Sequence, residues 1–205
     1  MGTTESKLPM NSHAIPDSFH EPLSAVQRLL NRFAEQGIVI GGIAASLLGE
    51  PRATADIDAV IVLSVDDLPL LIAAAKEEGL TPRITDAETF ARRNRVLLLN
   101  HTASGINVDI SLGLLPFEVE AAERGQIYQA GSLKIRLPTP EDLIIQKAIA
   151  HRPKDLTDIA AIIANHPNLD WQRIQSWLEQ FSELLEMPEV WQNIAKLRPK
   201  GKRRK

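Results

Sequence analysis

The hydrophobic pattern of the chain changes period several times. Leu23, Val26, Leu29, Leu30 and Phe33 recur at helical spacing, which predicts a helix over 22–36 with Gly37 as its C-terminal cap. Ile38-Val39-Ile40 is a short apolar run that reads as a buried strand, and Gly41-Gly42 stand where that strand turns into a helix beginning near Ile43. After Pro51 a second strand runs from Asp56 to Leu63; alternation sends Asp56 and Asp58 to one side and Ile57 to the other. Ser64 or Asp66 can cap a helix to about Glu78, with Leu68, Leu71, Ile72 and Ala75 inward. Residues 83–95 are charged and show no clear period, and Val96 to Leu99 is another strand.

The cleanest alternation lies at 106–112. Ile106, Val108, Ile110 and Leu112 share one face, and Asn107, Asp109 and Ser111 share the other. A short helix over 117–124 and a closing strand over 132–137 follow. Thr139-Pro140 then opens a helix with acids in its first turn, and Pro153 separates it from the next. Ile174, Trp177, Leu178, Phe181, Leu184 and Leu185 form an apolar stripe, and 188–197 gives a last short helix. The expected class is α/β (α+β): a mixed sheet with flanking helices and a C-terminal helical subdomain. The expected organisation is a loose leader over 1–20, a core over 21–138, a helical subdomain over 139–198 and a basic tail over 199–205.

Composition narrows the classes. With 205 residues, 44% hydrophobic and 24% charged, the chain can bury an ordinary core. No apolar run approaches the roughly 18 residues that a membrane span needs, and the N-terminus lacks the pattern of a secretory signal, so no membrane association and a cytoplasmic location are expected. The absence of cysteine excludes disulfides, a thiol nucleophile and thiolate zinc sites. The five histidines are scattered without metal-site spacing. Lys200, Lys202, Arg203, Arg204 and Lys205 concentrate basic charge in a chain whose formal charge is −3; they read as a solvated end or as a contact to an RNA backbone.

The chemistry gathers in two places. A glycine pair at a strand-to-helix turn lets a ligand approach the backbone, and the leading N–H groups of the helix favour an anion such as a phosphate. Two carboxylates on one side of the following strand repel by about 4 kcal/mol at 4 Å with an effective dielectric near 20, which calls for a hard divalent cation. Asp109, on the polar face of another strand, is either a third acid of that site or a surface residue of a half-exposed strand. Arg92, Arg93 and Arg95 face a triphosphate or RNA, or form a solvated surface. Trp171 and Trp191 read as core residues, with base stacking as the alternative.

Gly41-Gly42 followed by Arg52-x-Thr54-x-Asp56-Ile57-Asp58 resembles the signature of the DNA polymerase β-type nucleotidyltransferase superfamily, and in particular its AbiEii-like toxin branch. The resemblance implies transfer of a nucleoside monophosphate from a nucleoside triphosphate to an acceptor hydroxyl, with Mg²⁺ or Mn²⁺ held by Asp56, Asp58 and Asp109. It implies that Gly41, Gly42, Ser46, Arg52 and Thr54 hold the nucleotide. The stretch from Glu141 to Lys147, with Lys154-Asp155 beyond it, resembles a second block of that branch, which brings Lys147 and Asp155 forward as nucleotide-pocket residues; the alternative is a solvated lysine beside a helix–helix turn. An RNA or protein acceptor and an antitoxin partner are implied by the same resemblance. Two other readings stay open: a nucleotide- or RNA-binding regulator of this fold without turnover, and a transferase acting on a small hydroxylated molecule such as an aminoglycoside.

Overall fold

The structure is a computed structural model and describes residues 15–34 and 36–199. The first fourteen residues of the expected leader and the basic cluster from Lys200 onward lie outside the described residues. The chain divides into two units: one runs to Leu47 and continues over Pro51–Thr139, and the other comprises Leu48–Glu50 with the chain from Pro140 onward.

The first unit is built on a five-stranded mixed sheet of order β1-β2-β5-β4-β3. Its strands are β1 (Gly37–Val39), β2 (Asp56–Val62), β3 (Leu80–Pro82), β4 (Val96–His101) and β5 (Asn107–Gly113). Only β2 and β5 run parallel; the other neighbours are antiparallel. On one face of the central pair Ile57, Ala59 and Ile61 lie in register with Val108, Ile110 and Leu112, all buried. Period-2 alternation in both strands therefore packs one apolar face and leaves the opposite face to polar groups.

Helices α1 (His20–Asn31), α2 (Gly41–Leu48), α3 (Leu68–Glu77), α4 (Ala87–Asn94) and α5 (Pro116–Glu123) accompany this sheet, and β6 (Gln126–Ala130) pairs with β7 (Leu133–Leu137) as a hairpin turning at Gly131, whose φ is +60°. Ser64 caps the short turn ahead of α3, its hydroxyl accepting from the Asp66 N–H at 3.2 Å. At the start of α5, the Glu118 carboxylate accepts from the backbone N–H groups of Leu114 and Leu115 at 2.8 and 2.9 Å, satisfying donors before the helix.

Several elements depart from the sequence reading, among them α4, which lies in the stretch without a clear period. Helix α1 ends at Asn31, several residues before the expected stop, and Ala34 takes the left-handed conformation at φ +50°. Gly37 is therefore the first residue of β1 and not a helix cap. A Cβ there would stand 2.6 Å from Leu30 Cδ2, so the glycine lets the strand lie directly on α1. Strands β3 and β6 were not expected. In β3 only Leu80 is fully buried, which leaves no alternation to read.

The second unit is helical: α6 (Pro140–Ala150), α7 (Pro153–Asn165), α8 (Trp171–Leu184) and α9 (Glu189–Leu197). Ile174, Leu178 and Phe181 of the expected stripe are buried, whereas Leu184 is 74% exposed and Leu185 lies beyond the helix at 44%. Trp177 stacks on Phe181 with centroids 5.7 Å apart, and the Arg198 guanidinium lies 5.4 Å from the Trp171 ring. The Leu48–Glu50 piece joins this unit through Asn165 Nδ2, which donates to the Gly49 carbonyl at 2.7 Å, and through His166 Nε2, 2.9 Å from the Leu48 carbonyl.

Because Leu30 is 1% exposed and has little room to yield, Gly37→Ala is expected to lower the stability of the protein by about 1–3 kcal/mol, the range for overpacking a filled core. Urea unfolding at neutral pH measures it.

Candidate active site

Strand register assembles the polar face. Asp58 is the direct partner of Asp109 across the parallel β2–β5 pair, and Asp56 is the partner of Asn107. Residues opposed in register point to the same side, and Asp56 and Asp58 are two apart on one strand, so the three carboxylates share one face. All three are partly exposed. On the flanks, Leu98 of β4 opposes Asp109, and the Ile40 N–H donates to the Asp58 carbonyl at 2.8 Å. A single row thus crosses the sheet from Leu98 through Asp109 and Asp58 to the start of α2.

The glycine pair closes over that row. Gly41 has φ +63°, and a Cβ on it would fall 2.0 Å from Asp58 Oδ2 and 2.8 Å from Asp58 Cγ. Only glycine accommodates both the left-handed backbone and the carboxylate beneath it. At Gly42 an added Cβ would meet Thr54 Oγ1 at 2.5 Å and Arg52 Nη2 at 3.4 Å. The two glycines, the first of them required by conformation and both by contact, sit in the opening turn of α2 instead of ahead of it. The structure therefore brings Gly41, Gly42, Arg52, Thr54, Asp56, Asp58 and Asp109 into one neighbourhood. Thr54 Oγ1 lies 3.2 Å from the Asp56 carbonyl and 3.3 Å from Asp56 Oδ1, within donating distance of both.

Ser46 is engaged with the backbone of Arg52. It is 3% exposed, its hydroxyl donates to the Arg52 carbonyl at 3.2 Å and accepts from the Arg52 N–H at 3.4 Å. It fixes the backbone from which the Arg52 side chain extends.

Asp109 carries a partner that the sequence did not reveal. Arg83, just beyond the last paired residue of β3, anchors its N–H on the Leu98 carbonyl at 3.1 Å and reaches across β4. Its Nη2 donates to Asp109 Oδ2 at 3.2 Å, and its Nη1 lies 2.8 Å from Oδ1. The closer contact is a charge contact without hydrogen-bond alignment: Oδ1 is buried and takes no hydrogen bond, while Nη1 is directed to the Leu99 carbonyl at 3.4 Å. The only available signal was a Pro-containing segment, which suits an edge strand.

Carboxylates are the ligand type that a hard divalent cation takes. The set includes Asp109 Oδ1, which accepts no hydrogen bond, and the missing Cβ of Gly41 lets the backbone lie directly against the Asp58 carboxylate. Among the described residues no group of three or more acidic or histidine side chains is disposed to hold a metal ion by itself. Magnesium can be held by one or two carboxylates with substrate phosphates completing its shell.

In the helical unit, Lys147 on α6 and Asp155 and Asp158 on α7 form a buried ionic cluster. Lys147 is 4% exposed, Asp155 0% and Asp158 6%. Lys147 Nζ donates to Asp158 Oδ2 at 2.7 Å and to Asp155 Oδ1 at 3.4 Å. Arg152 adds its Nε to Asp155 Oδ2 at 2.6 Å, and its backbone N–H donates to the same oxygen at 3.2 Å. The reading of Lys147 as a solvated lysine is thereby corrected. Burial alone would raise the Asp155 pKa, but the Arg152 hydrogen bond and the charges of Lys147 and Arg152 outweigh it and hold the carboxyl below its ordinary value.

Residues 21–195 match the family described as nucleotidyltransferase of unknown function (DUF6036), and the chain belongs to that family. Two solved structures share its fold. An antigenic nucleotidyltransferase-like protein from Paracoccidioides brasiliensis superposes with a TM-score of 0.53 at 17% identity, over 87% of this chain and 93% of the other. The antibiotic-resistance factor ANT(2'')-Ia superposes with a TM-score of 0.54 at 14% identity, over 85% of this chain and 97% of the other. No curated protein sequence matches the chain. The α/β class with a mixed sheet and the place in the nucleotidyltransferase superfamily are thus established.

Gly41→Ala is expected to destabilise the protein by at least about 1–3 kcal/mol, because the left-handed backbone and the Asp58 carboxylate both oppose a methyl group. Thermal melting of the variant beside the wild type measures this. For the buried cluster, Lys147→Ala should lower stability by about 3–5 kcal/mol, as removal of one partner leaves buried carboxylates short of charge. The pH dependence has a definite sign. The folded Asp155 pKa lies below its unfolded value, so its contribution is full above roughly pH 4 and disappears as pH falls through the folded value. The stability difference between wild type and Asp155→Asn in denaturant titrations should therefore be largest at neutral pH and shrink on acidification.

Proposed function

We propose that the protein transfers a nucleoside monophosphate from a nucleoside triphosphate to an acceptor hydroxyl, releasing pyrophosphate, at the face formed by Asp56, Asp58 and Asp109. The observation that carries this reading is the register of Asp58 on Asp109 beneath the Gly41 turn. It supplies carboxylates and a close backbone approach at one point, which a metal-bound triphosphate requires. Family membership supports the reaction class.

In this reading Asp56, Asp58 and Asp109 would hold Mg²⁺ or Mn²⁺. The bound cation supplies neutralisation of the phosphate charge and orientation of the reacting oxygens. The Gly41-Gly42 backbone and the first turn of α2 receive phosphate, since helix N-termini favour anions. Arg52, held by Ser46, adds a guanidinium to the same neighbourhood, and Thr54 orients Asp56. Asp109 takes the proton from the attacking hydroxyl, whose oxygen then displaces pyrophosphate from the α-phosphorus in line. Lys147 and Asp155, which the resemblance associates with the nucleotide, also lock α6 to α7 through their buried pair.

The resemblance to the AbiEii-like branch extends the proposal to a toxin-like enzyme that modifies RNA or protein and is restrained by an antitoxin. Incubation of the purified full chain with α-labelled triphosphates, Mg²⁺ and RNA, protein or small hydroxylated acceptors tests both levels. Label should move to an acceptor in the wild type, and Asp109→Asn should lower turnover by at least about a hundredfold while triphosphate binding is retained. Tight triphosphate binding with no transfer to any acceptor, and no difference between wild type and Asp109→Asn in cell growth, would replace the enzyme with a nucleotide-binding regulator.

A further inference from the structure

Asp109 serves the proposed reaction only if its oxygens are available, yet Arg83 holds both of them. The contact is two-pronged: Nη2 donates to Oδ2 at 3.2 Å and Nη1 stands 2.8 Å from Oδ1. One charge-assisted hydrogen bond positions the carboxylate, and the second contact adds charge without alignment. Both side chains retain more than a quarter of their exposure, 27% for Arg83 and 29% for Asp109, so the guanidinium has solvent to move into. An ion pair this exposed contributes little to folding. Arg83 also follows a three-residue edge strand, a short support for a purely structural tie.

We propose that Arg83 is a built-in competitor for the third carboxylate. It neutralises Asp109 when no divalent cation is present, yields to the cation when the metal–nucleotide complex arrives, and so sets the affinity of the nucleotide-free protein for metal. One further feature agrees: Asp109 Oδ1 is buried without a hydrogen bond, held by charge alone, and is the oxygen whose exchange from guanidinium to cation breaks no aligned bond. The consequence is selectivity for the order of binding: metal alone binds weakly, and metal bound to triphosphate, whose phosphates bring further ligands, displaces Arg83. This inference rests on the metal-dependent reading of the site.

The test is Mn²⁺ binding to the nucleotide-free full chain, followed by the paramagnetic resonance signal of free Mn²⁺. Arg83→Gln should bind roughly three- to tenfold more tightly than wild type. Lys76→Gln, which removes an exposed cation outside the row, should leave affinity unchanged and controls for net charge. Adding Asp109→Asn should abolish the gain of Arg83→Gln. Equal or weaker binding by Arg83→Gln, or an equal gain in Lys76→Gln, would overturn the proposal while leaving the metal site intact. Absence of Mn²⁺ binding by every protein, with or without triphosphate, would overturn the metal reading and the proposal together. Circular dichroism in EDTA checks folding. If Arg83→Gln does not fold, Arg83→Lys keeps the charge without the two-pronged contact; a smaller gain supports the proposal and no gain overturns it.

Discussion

Two ionised carboxylates placed opposite each other on adjacent strands repel, and the parallel register of β2 on β5 imposes that placement on Asp58 and Asp109. Much of the surrounding structure answers this repulsion. Arg83 crosses β4 to reach one member, the positive end of α2 lies over the other through Gly41, and Thr54 turns its hydroxyl to neighbouring Asp56. The apolar face beneath keeps the register from slipping, because a shift of one residue would carry the carboxylates into the core and Ile57, Val108 and Ile110 out of it.

The central strands were legible because their side chains are sorted by a strict period. Val108, Ile110 and Leu112 point inward without interruption, and the same alternation places Asp109 on the face of Asp56 and Asp58, where the structure has it. What stayed hidden has no period or depends on distant chain. Strand β3 buries a single full side chain and includes Pro82, so nothing local distinguishes it from a loop, and Arg83 was hidden with it. Gly37 after a helical stretch satisfies the usual pattern of a cap; that it instead admits Leu30 against β1 is a matter of packing between elements. Ser46 is similar, since a serine near a glycine turn suggests a ligand and only the fold shows its hydroxyl engaged with Arg52.

The helical unit shows the same limit in its electrostatics. Lys147, Asp155 and Asp158 are ordinary surface residue types, and Pro153 breaks any continuous helix between them. Their convergence across the α6–α7 pair creates a buried site where each charge is tolerable only because of the others. Arg152, more than half exposed, connects that interior to solvent through its contact with Asp155. An apolar filling of the same volume would hold two helices as well, but it would accept many relative rotations; paired charges and aligned hydrogen bonds accept few.

The sheet order also governs when the polar face can come into existence. Asp58 and Asp109 are neighbours in space but about fifty residues apart in sequence, and β3, α4 and β4 all lie in the intervening chain, two of them as strands of the same sheet. Closing so long a segment into a parallel pair carries an entropic penalty that local contacts do not repay. A chain emerging from the ribosome therefore carries Asp56 and Asp58 well before their counterpart has been synthesised. The nascent protein lacks the acidic row for a substantial part of its production, and the row forms only with the cooperative folding of the whole sheet.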